Sequence, residues 1–309
     1  MSQWVFTHGV AVLLAQPISL DEVATALADF ELERIAVDGA QGMPAGMALS
    51  LSHPPNRMGP VIVDILDTPW PISLERAASK PDRDSAAIAE QFGPSIFPGS
   101  LGRAMQLGRG PGLNESVVAG HQGVIRLRVG YPVEANEPAA SRPLDELSLL
   151  ASLCEDLLAL PPAICYFNPV AEAVRSRDEV ADSLDQAAED QSPPLDLLSN
   201  IRLFKVDEQW SLMDTVGHQQ FALPDLEALF RPEIYSFDDV FSLLRGMTIY
   251  LLEGKTPPPD RATLRGPHDV LWQVQELPSG LMVPPRRILR FRPADGAPLP
   301  PLPLETSQR

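Results

Sequence analysis

Asn200 to Phe230 read NIRLFKVDEQWSLMDTVGHQQFALPDLEALF, and this stretch decides how the C-terminal part of the chain folds. Its apolar runs and turn residues predict a strand, a turn, a second strand and a loop. Leu223-Pro224-Asp225 then has the pattern of a helix entry, so a helix is predicted over Leu226 to Phe230. The stretch also holds the densest cluster of polar side chains in the chain: Asp207, Trp210, Asp214, Thr215, His218, Asp225 and Glu227.

His218 is the residue of this stretch whose side chain best suits acid–base chemistry. Asp214 precedes it by four residues and Thr215 by three. On a loop beyond a strand, Asp214 would orient the imidazole, which would then activate a hydroxyl group or a water molecule. One hypothesis is therefore a hydrolase or transferase with Asp214 and His218 in a cleft, although the sequence has no GxSxG element to supply a serine nucleophile.

Turn and cap chemistry explains the same residues without catalysis. Asp214 and Thr215 side chains can accept from backbone N–H groups where a strand ends. Asp225 would lie near the positive end of the predicted helix. In this interpretation His218 is a loop histidine that makes ordinary hydrogen bonds, and both interpretations stay open on the sequence alone.

The charge balance limits the classes of partner. The chain has 309 residues and a formal net charge of −17, which opposes binding to nucleic acid or to anionic lipid. A basic protein partner is the expectation that fits this charge. An acidic helix face would supply the docking surface, or would simply be solvated: Asp178, Glu179, Asp182, Asp185, Glu189 and Asp190.

Cys154 and Cys165, the two cysteines of the chain, lie among apolar residues. This predicts two buried thiols in a reducing cytoplasm. The N-terminal apolar run is too short and lacks the basic flank of a signal peptide, and no window reaches the length of a membrane span. Two cysteines and five histidines without ligand spacing predict no metal site, and no cofactor is predicted.

Phe92 to Gly112 is rich in glycine and carries Arg103 and Arg109. Such a loop could hold a phosphate group through backbone N–H groups and guanidinium groups. Its spacing matches neither GxxxxGK[ST] nor a GxGxxG after a strand. The alternative is an ordered loop with a short helix at Ser100 to Leu107.

The order of elements predicts an α+β fold, with mixed or antiparallel sheets packed with a few long helices and two similar halves. Arg126 and Arg128 alternate with apolar residues, which predicts a strand with one face in water. Strands are predicted at Trp4 to Ala15, Leu32 to Val37, Met47 to His53, Pro60 to Leu66, Ala163 to Phe167, Val270 to Gln275 and Ile288 to Phe291. Helices are predicted at Leu20 to Phe30, Ser73 to Ala78, Asp84 to Phe92, Leu144 to Leu160, Pro169 to Asp190 and Phe237 to Glu253.

One α+β unit is expected over residues 1–293, with sub-halves at 1–190 and 195–293. Residues 294–309 read as a Pro-rich tail and are expected to be disordered.

The chain also resembles a known family. Met213-Asp214-Thr215-Val216-Gly217 and Phe221-Ala222-Leu223-Pro224-Asp225 are similar to the C-terminal signature of the bacterial family called domain of unknown function 4261, with Ala222 where glycine is usual. The resemblance extends from about Val5 to Pro293. It implies a bacterial, cytoplasmic α+β protein of one family-length unit, and it implies no activity and no catalytic residue.

These observations favour a non-enzymatic, acidic protein-interaction module that binds a basic protein. An immunity or accessory protein of a bacterial toxin or secretion system would fit this description. The alternatives are the hydrolase or transferase with Asp214 and His218, and a binder of a small phosphate ligand with Arg103 and Arg109. The sequence leaves the oligomeric state open.

Overall fold

The computed structural model describes residues 4–37, 46–51, 59–70, 95–132, 142–296 and 300. The chain divides into two compact units, Met1–Leu198 (unit 1) and Ser199–Arg309 (unit 2). Each unit is a β-sheet packed with helices, so the predicted α+β class is confirmed. The helices predicted at 73–78 and 84–92, and all of the predicted tail beyond residue 296 except residue 300, lie outside the described residues.

Unit 1 contains an antiparallel seven-stranded sheet in the order β2-β3-β4-β5-β1-β6-β7. Its strands are β1 (Trp4–Leu14), β2 (Leu32–Val37), β3 (Gly46–Leu51), β4 (Val61–Leu66), β5 (Gly123–Pro132), β6 (Ala163–Asn168) and β7 (Ala173–Arg175). Its helices are α1 (Leu20–Ala26), α2 (Ser100–Leu107), α3 (Glu115–Ala119), α4 (Pro143–Leu157), α5 (Arg177–Asp190) and α6 (Leu195–Leu198). The segment predicted as helical from Pro169 therefore begins with a turn followed by strand β7, and the helix starts at Arg177.

Local sequence signals set the helix ends of unit 1. Ser19 and Glu22 form a capping box at the start of α1, and Ser176 and Glu179 form a second one at α5. Helix α4 packs on β1 and buries a stripe of apolar side chains spaced by three and four residues. The predicted helix from Leu144 is thus confirmed, with its end three residues earlier, at Leu157.

Strand β5 has no wet face where one was predicted. Arg126 and Arg128 are both buried, because Asp64 of β4 lies directly opposite Arg126 in the sheet. Arg126 donates to both carboxylate oxygens of Asp64, at 2.9 and 2.5 Å, and Arg128 Nη2 donates to Oδ2 at 3.0 Å. Burial lowers the pKa of Arg128 to about 10, against the opposing charge of Asp64. The alternation of arginine and apolar residues along a strand cannot by itself distinguish an arginine in water from one that is ion-paired inside the core.

Glu146 of α4 connects this helix to the sheet through hydrogen bonds. Its fully buried carboxylate accepts from Tyr131 Oη at 2.7 Å, from Thr7 Oγ1 at 2.8 Å and from the Arg142 N–H at 2.9 Å. His8 Nδ1 lies 2.6 Å from the same carboxylate. Burial raises the pKa of Glu146, but these hydrogen bonds outweigh burial and hold it at about 2.

Unit 2 contains a mixed six-stranded sheet in the order β11-β12-β13-β10-β9-β8, with β10 and β13 parallel and the other pairs antiparallel. Its strands are β8 (Asn200–Lys205), β9 (Ser211–Val216), β10 (Asp225–Phe230), β11 (Thr263–Arg265), β12 (Leu271–Leu277) and β13 (Ile288–Pro293). Its helices are α7 (Phe237–Leu252) and the 3-10 turns His218–Phe221 and Pro267–Asp269.

The predicted helix over Leu226 to Phe230 is wrong. These residues belong to β10, which is buried along its whole length between β9 and β13. Five residues are too few to distinguish a buried strand from a turn of helix by their pattern, and pairing with strands on both sides decides the outcome. Helix α7 is confirmed where it was predicted, with a capping box at Ser236 and Asp239.

The two faces of the unit 2 sheet have different contents. One face packs its apolar residues against α7, including Met213, Ala228 and Phe291. The other face carries a smaller apolar cluster with Leu212 and Leu229. Because side chains alternate along each strand, Asp214 lies on the face away from α7.

We predict that acid weakens unit 1 through Glu146. Because the folded-state pKa lies below the ordinary value of 4.5, its contribution is present above that pH and is lost as the pH falls towards 2. The loss amounts to about 3 kcal/mol of unfolding free energy. Hydrogen exchange of amides in β1 and α4, measured from pH 6 to pH 2, checks it. Glu146→Gln should flatten the profile and Glu155→Gln, on the same helix, should not; equal profiles for both variants would contradict the prediction.

Candidate functional site

A row of charged side chains crosses the unit 2 sheet and contains the candidate Asp214. Arg202 of β8, Asp214 of β9, Glu227 of β10 and Arg290 of β13 are consecutive cross-strand neighbours. Arg202 donates to Asp214 Oδ1 and Oδ2 at 2.9 and 2.6 Å. Arg290 Nε donates to one carboxylate oxygen of Glu227, Oε1. All four side chains are buried, so the sheet carries charge through its interior.

Arg286 joins this row to the start of β10. Its guanidinium donates to Asp214 Oδ2 at 2.7 Å, to Asp225 Oδ2 at 3.1 Å and to the Thr215 carbonyl at 2.6 Å. Three guanidinium groups therefore face three carboxylates, and we call these six residues the buried charge network: Arg202, Arg286, Arg290, Asp214, Asp225 and Glu227. Their formal charges cancel.

The network also holds the segment before β13 in place. Leu281 N donates to Glu227 Oε2 at 2.8 Å, and Gly280 N donates to the Arg286 carbonyl at 3.1 Å. Burial raises the pKa of Glu227, although Arg290 and the Leu281 N–H oppose this rise. Removing one charged residue of the network would therefore leave its partner as an unpaired charge in the core, and it would also weaken the contacts that hold the 280–287 segment.

His218 does not meet Asp214 in any hydrogen bond among the described residues. Its Nδ1 lies 3.0 Å from the Pro224 carbonyl, which can only accept, so Nδ1 carries the hydrogen. Its Nε2 faces Thr248 Oγ1 of α7 at 3.3 Å, on the sheet face away from Asp214. Burial lowers the pKa of His218, against the nearby charge of Asp225, so the ring is neutral at neutral pH. The imidazole is 1% exposed and cannot reach a dissolved substrate in this conformation.

Asp225 is the carboxylate beside His218. Its Oδ1 accepts from Thr215 Oγ1 at 2.9 Å and from the His218 backbone N–H at 3.2 Å. Thr215 Oγ1 in turn accepts from the Leu226 N–H at 2.8 Å. These contacts close the turn between β9 and β10, which gives Thr215 and Asp225 a structural role as strand-end residues.

Arg103 and Arg109, the phosphate candidates, use their guanidinium groups within unit 1. Arg103 Nε donates to Glu172 Oε1 at 2.7 Å, and its Nη1 donates to the Pro98 carbonyl at 2.7 Å. Arg109 donates to the carbonyls of Met105 and Leu113, at 3.2 and 2.7 Å. Both arginines therefore order the loops around α2, whose predicted bounds, Ser100 to Leu107, are confirmed.

A groove of about 620 Å³ lies in unit 1 between α1, α4 and the start of α5. We call it the acidic groove; its lining is Glu22, Thr25, Ala26, Glu155, Asp156, Ala159, Leu160 and Arg177. Partial burial raises the pKa of Asp156, and the negative charge of Asp29 raises it further. The lining therefore carries three carboxylates and one guanidinium, and the carboxylate of Glu22 also accepts from Ser19 in the capping box of α1. The sequence analysis missed the groove, because its residues come from three separate helices.

Helix α5 carries a second acidic surface next to the groove. Asp178, Asp182, Asp185 and Glu189 repeat at intervals of three and four residues and are all exposed. None of them forms an ion pair within the part of the chain that the structure describes. Like charges at this spacing cost a few tenths of a kcal/mol each in a helix. The predicted acidic face is therefore real, with Glu179 turned inward to the capping box.

Both cysteines are free and buried, and burial raises the pKa of Cys165 to about 12 and that of Cys154 further. Neither thiol is therefore an activated nucleophile. In the described ranges, no group of three or more histidine, cysteine or carboxylate side chains is arranged to hold a metal ion. A helix that is both long and apolar enough to cross a membrane is also absent from these ranges.

We predict that Asp214→Asn destabilises unit 2 by about 3–5 kcal/mol, because Arg202 would stay buried without its counter-charge and Arg286 would keep only Asp225. Urea unfolding monitored by tryptophan fluorescence measures this loss, since Trp210 and Trp272 both lie in unit 2. The matched control is Asp238→Asn at the exposed start of α7, which should cost less than about 1 kcal/mol. Equal stabilities for the two variants would show that the network contributes little.

The comparisons with known proteins agree with the resemblance in the sequence. The comparison with curated proteins and the comparison with solved structures gave no match. A family model matches residues 214–292, which run from Asp214 in β9 to Arg292 in β13. The predicted resemblance is therefore confirmed over this segment of unit 2, which matches Domain of unknown function (DUF4261).

Proposed function

We propose that the protein is a non-enzymatic interaction module that binds a basic segment of another protein in the acidic groove of unit 1. The observation that carries this proposal is the lining of the groove, in which Glu22, Glu155 and Asp156 border one concave surface. The raised pKa of Asp156, which results from partial burial and from Asp29, agrees with it. Carboxylates held close together in a concave surface gain free energy when a cation enters between them. A lysine or arginine side chain supplies that cation.

The distribution of charge supports the same surface. Unit 1 contains 12 lysine and arginine residues and 27 aspartate and glutamate residues, a net charge of −15. Unit 2 contains 12 and 14, a net charge of −2. Nearly all of the excess negative charge therefore belongs to unit 1. Such a field attracts a basic partner and speeds its association at low salt.

The lining of the groove suits long basic side chains. Ala26, Ala159 and Leu160 offer apolar surface, while Glu155 and Asp156 offer carboxylates in the same groove. Lysine and arginine place their methylene stems on apolar surface and keep their charged ends near carboxylates or water. A basic helix or extended segment can thus use both kinds of contact.

The alternative function, a hydrolase or transferase with Asp214 and His218, has less support from the geometry. Asp214 is held by Arg202 and Arg286, and His218 lies on the other face of the sheet against Thr248. Neither residue lines the acidic groove. General acid–base catalysis needs a side chain within hydrogen-bond distance of the substrate. We therefore keep the interaction module as the proposed function.

We further place this function in the bacterial cytoplasm. The two free, buried thiols suit a reducing compartment, and the family resemblance suits a bacterial source. An immunity or accessory protein of a toxin or secretion system acts by covering another protein, and a basic toxin segment would complement this groove. This role is the specific form of the proposal.

An oligolysine peptide is a suitable probe, because it presents the proposed chemistry without assuming a partner. We predict that Glu22→Gln, Glu155→Gln and Asp156→Asn together weaken peptide binding by at least about tenfold, equivalent to 1.4 kcal/mol. The matched control, Asp182→Asn, Asp185→Asn and Glu189→Gln, removes the same charge from α5. Its affinity should stay within about threefold of the unaltered protein, since these three carboxylates do not line the groove and salt weakens their attraction for the peptide.

Fluorescence anisotropy at two salt concentrations measures both affinities. A greater loss in the groove variant supports the proposal. An equal loss in the two variants would show that only the overall field of unit 1 attracts the peptide, and the absence of binding at low salt would contradict the proposal.

A further inference from the structure

His121 connects two segments of unit 1 through both nitrogens of its imidazole ring. The residue lies between α3 and β5 and is 6% exposed. Its Nδ1 lies 2.7 Å from the Val118 carbonyl, and its Nε2 accepts from the backbone N–H of Trp70 at 2.8 Å. The ring therefore joins the end of α3 to the segment that follows β4.

These two partners fix the protonation state of the ring. The Val118 carbonyl can only accept, so Nδ1 carries a hydrogen. The Trp70 N–H can only donate, so Nε2 keeps its lone pair. A proton on Nε2 would remove this acceptor and would place two N–H groups against each other. The contact with Trp70 therefore exists only while the imidazole is neutral.

An imidazolium at this position would have no counter-charge in the part of the chain that the structure describes. Asp67, on the segment after β4, and Glu115, on α3, are both exposed. Asp64 and Arg126, on β4 and β5, pair with each other. Burial lowers the pKa of His121 from its ordinary value of 6.5, the hydrogen bond at Nδ1 opposes this, and no charged group contributes to the shift.

Trp70 is the residue that this contact holds in the core. Its side chain is buried and packs edge-on against Phe167, with ring centroids 4.9 Å apart and an interplanar angle of 82°. Trp70 and Val118 belong to one apolar cluster, in which the thiol of Cys165 is neutral because burial raises its pKa to about 12. His121 therefore bridges two members of the cluster with a group whose ordinary pKa lies near neutral pH.

We propose that His121 is a pH-sensitive latch: the neutral ring holds the backbone of Trp70 next to α3, and a proton on Nε2 releases it. In the released state the imidazolium and the Trp70 N–H both bond to water. Because the folded-state pKa is lowered, the latch contributes fully above pH 6.5 and loses its contribution as the pH falls below that value. None of these residues lines the acidic groove, so the latch stands independently of the proposed function.

Hydrogen exchange of the Trp70 amide, resolved by NMR on the full chain from about pH 7.5 to about pH 5, tests the latch. Its protection factor should be constant above about pH 6.5 and should then fall by up to about tenfold for each pH unit, the limit for one proton. The Ala15 N–H donates to the Pro162 carbonyl at 2.8 Å, which does not titrate, so its protection should stay constant. A fall of less than about threefold at Trp70 over this range would overturn the proposal. An equal fall at Ala15 would also overturn it, because unit 1 would then be unfolding as a whole.

His121→Gln separates the titration from the hydrogen bond. The glutamine amide oxygen accepts from the Trp70 N–H at every pH in this range, so the protection of Trp70 should no longer depend on pH. The matched control is His268→Gln, which replaces an exposed histidine of unit 2 and should leave the fall at Trp70 unchanged. A fall that persists in His121→Gln would contradict the latch.

If His121→Gln does not fold, the ring nitrogens of His121 in the unaltered protein decide the matter. Their NMR signals should report protonation over the same pH range in which the Trp70 amide loses protection. Protonation of the ring without loss of protection at Trp70 would overturn the proposal.

Discussion

Asp214 lies between two guanidinium groups, and the architecture of unit 2 depends on this contact. Arg202 approaches from the adjacent strand and Arg286 from the segment before β13, and all three side chains are buried. Charges in a core are tolerated only when their partners are correctly placed. The sheet must therefore bring β8, β9 and the 280–287 segment together in one register, because any other register would leave charge unpaired.

Unit 1 follows the same rule with different residues. Asp64 lies between Arg126 and Arg128, and Glu146 accepts hydrogen bonds from both β1 and β5. In both units these buried charges have partners within the fold, while the exposed carboxylates of α5 form no ion pair among the described residues.

Elements whose structure is set by residues close to one another in the sequence could be predicted from the sequence. Capping boxes and apolar periodicity located the helices α1, α4 and α7 with end errors of a few residues. The predictions were wrong where the structure of a segment depends on residues far away in the sequence. Whether residues 226–230 form a strand depends on β13, about sixty residues further along the chain. The burial of Arg126 depends on Asp64 lying opposite it, and the acidic groove exists only once three helices have come together.

The buried charge network also explains the polar residues of the motif that resembles the family signature. Residues 214–292, which match the family model, contain five of the six residues of the buried charge network, all except Arg202. The turn after β9 requires the hydroxyl group of Thr215, which donates to Asp225. The guanidinium group of Arg286 requires the carboxylates of Asp214 and Asp225 as acceptors. Reactive residue types in a motif can therefore indicate a folding constraint.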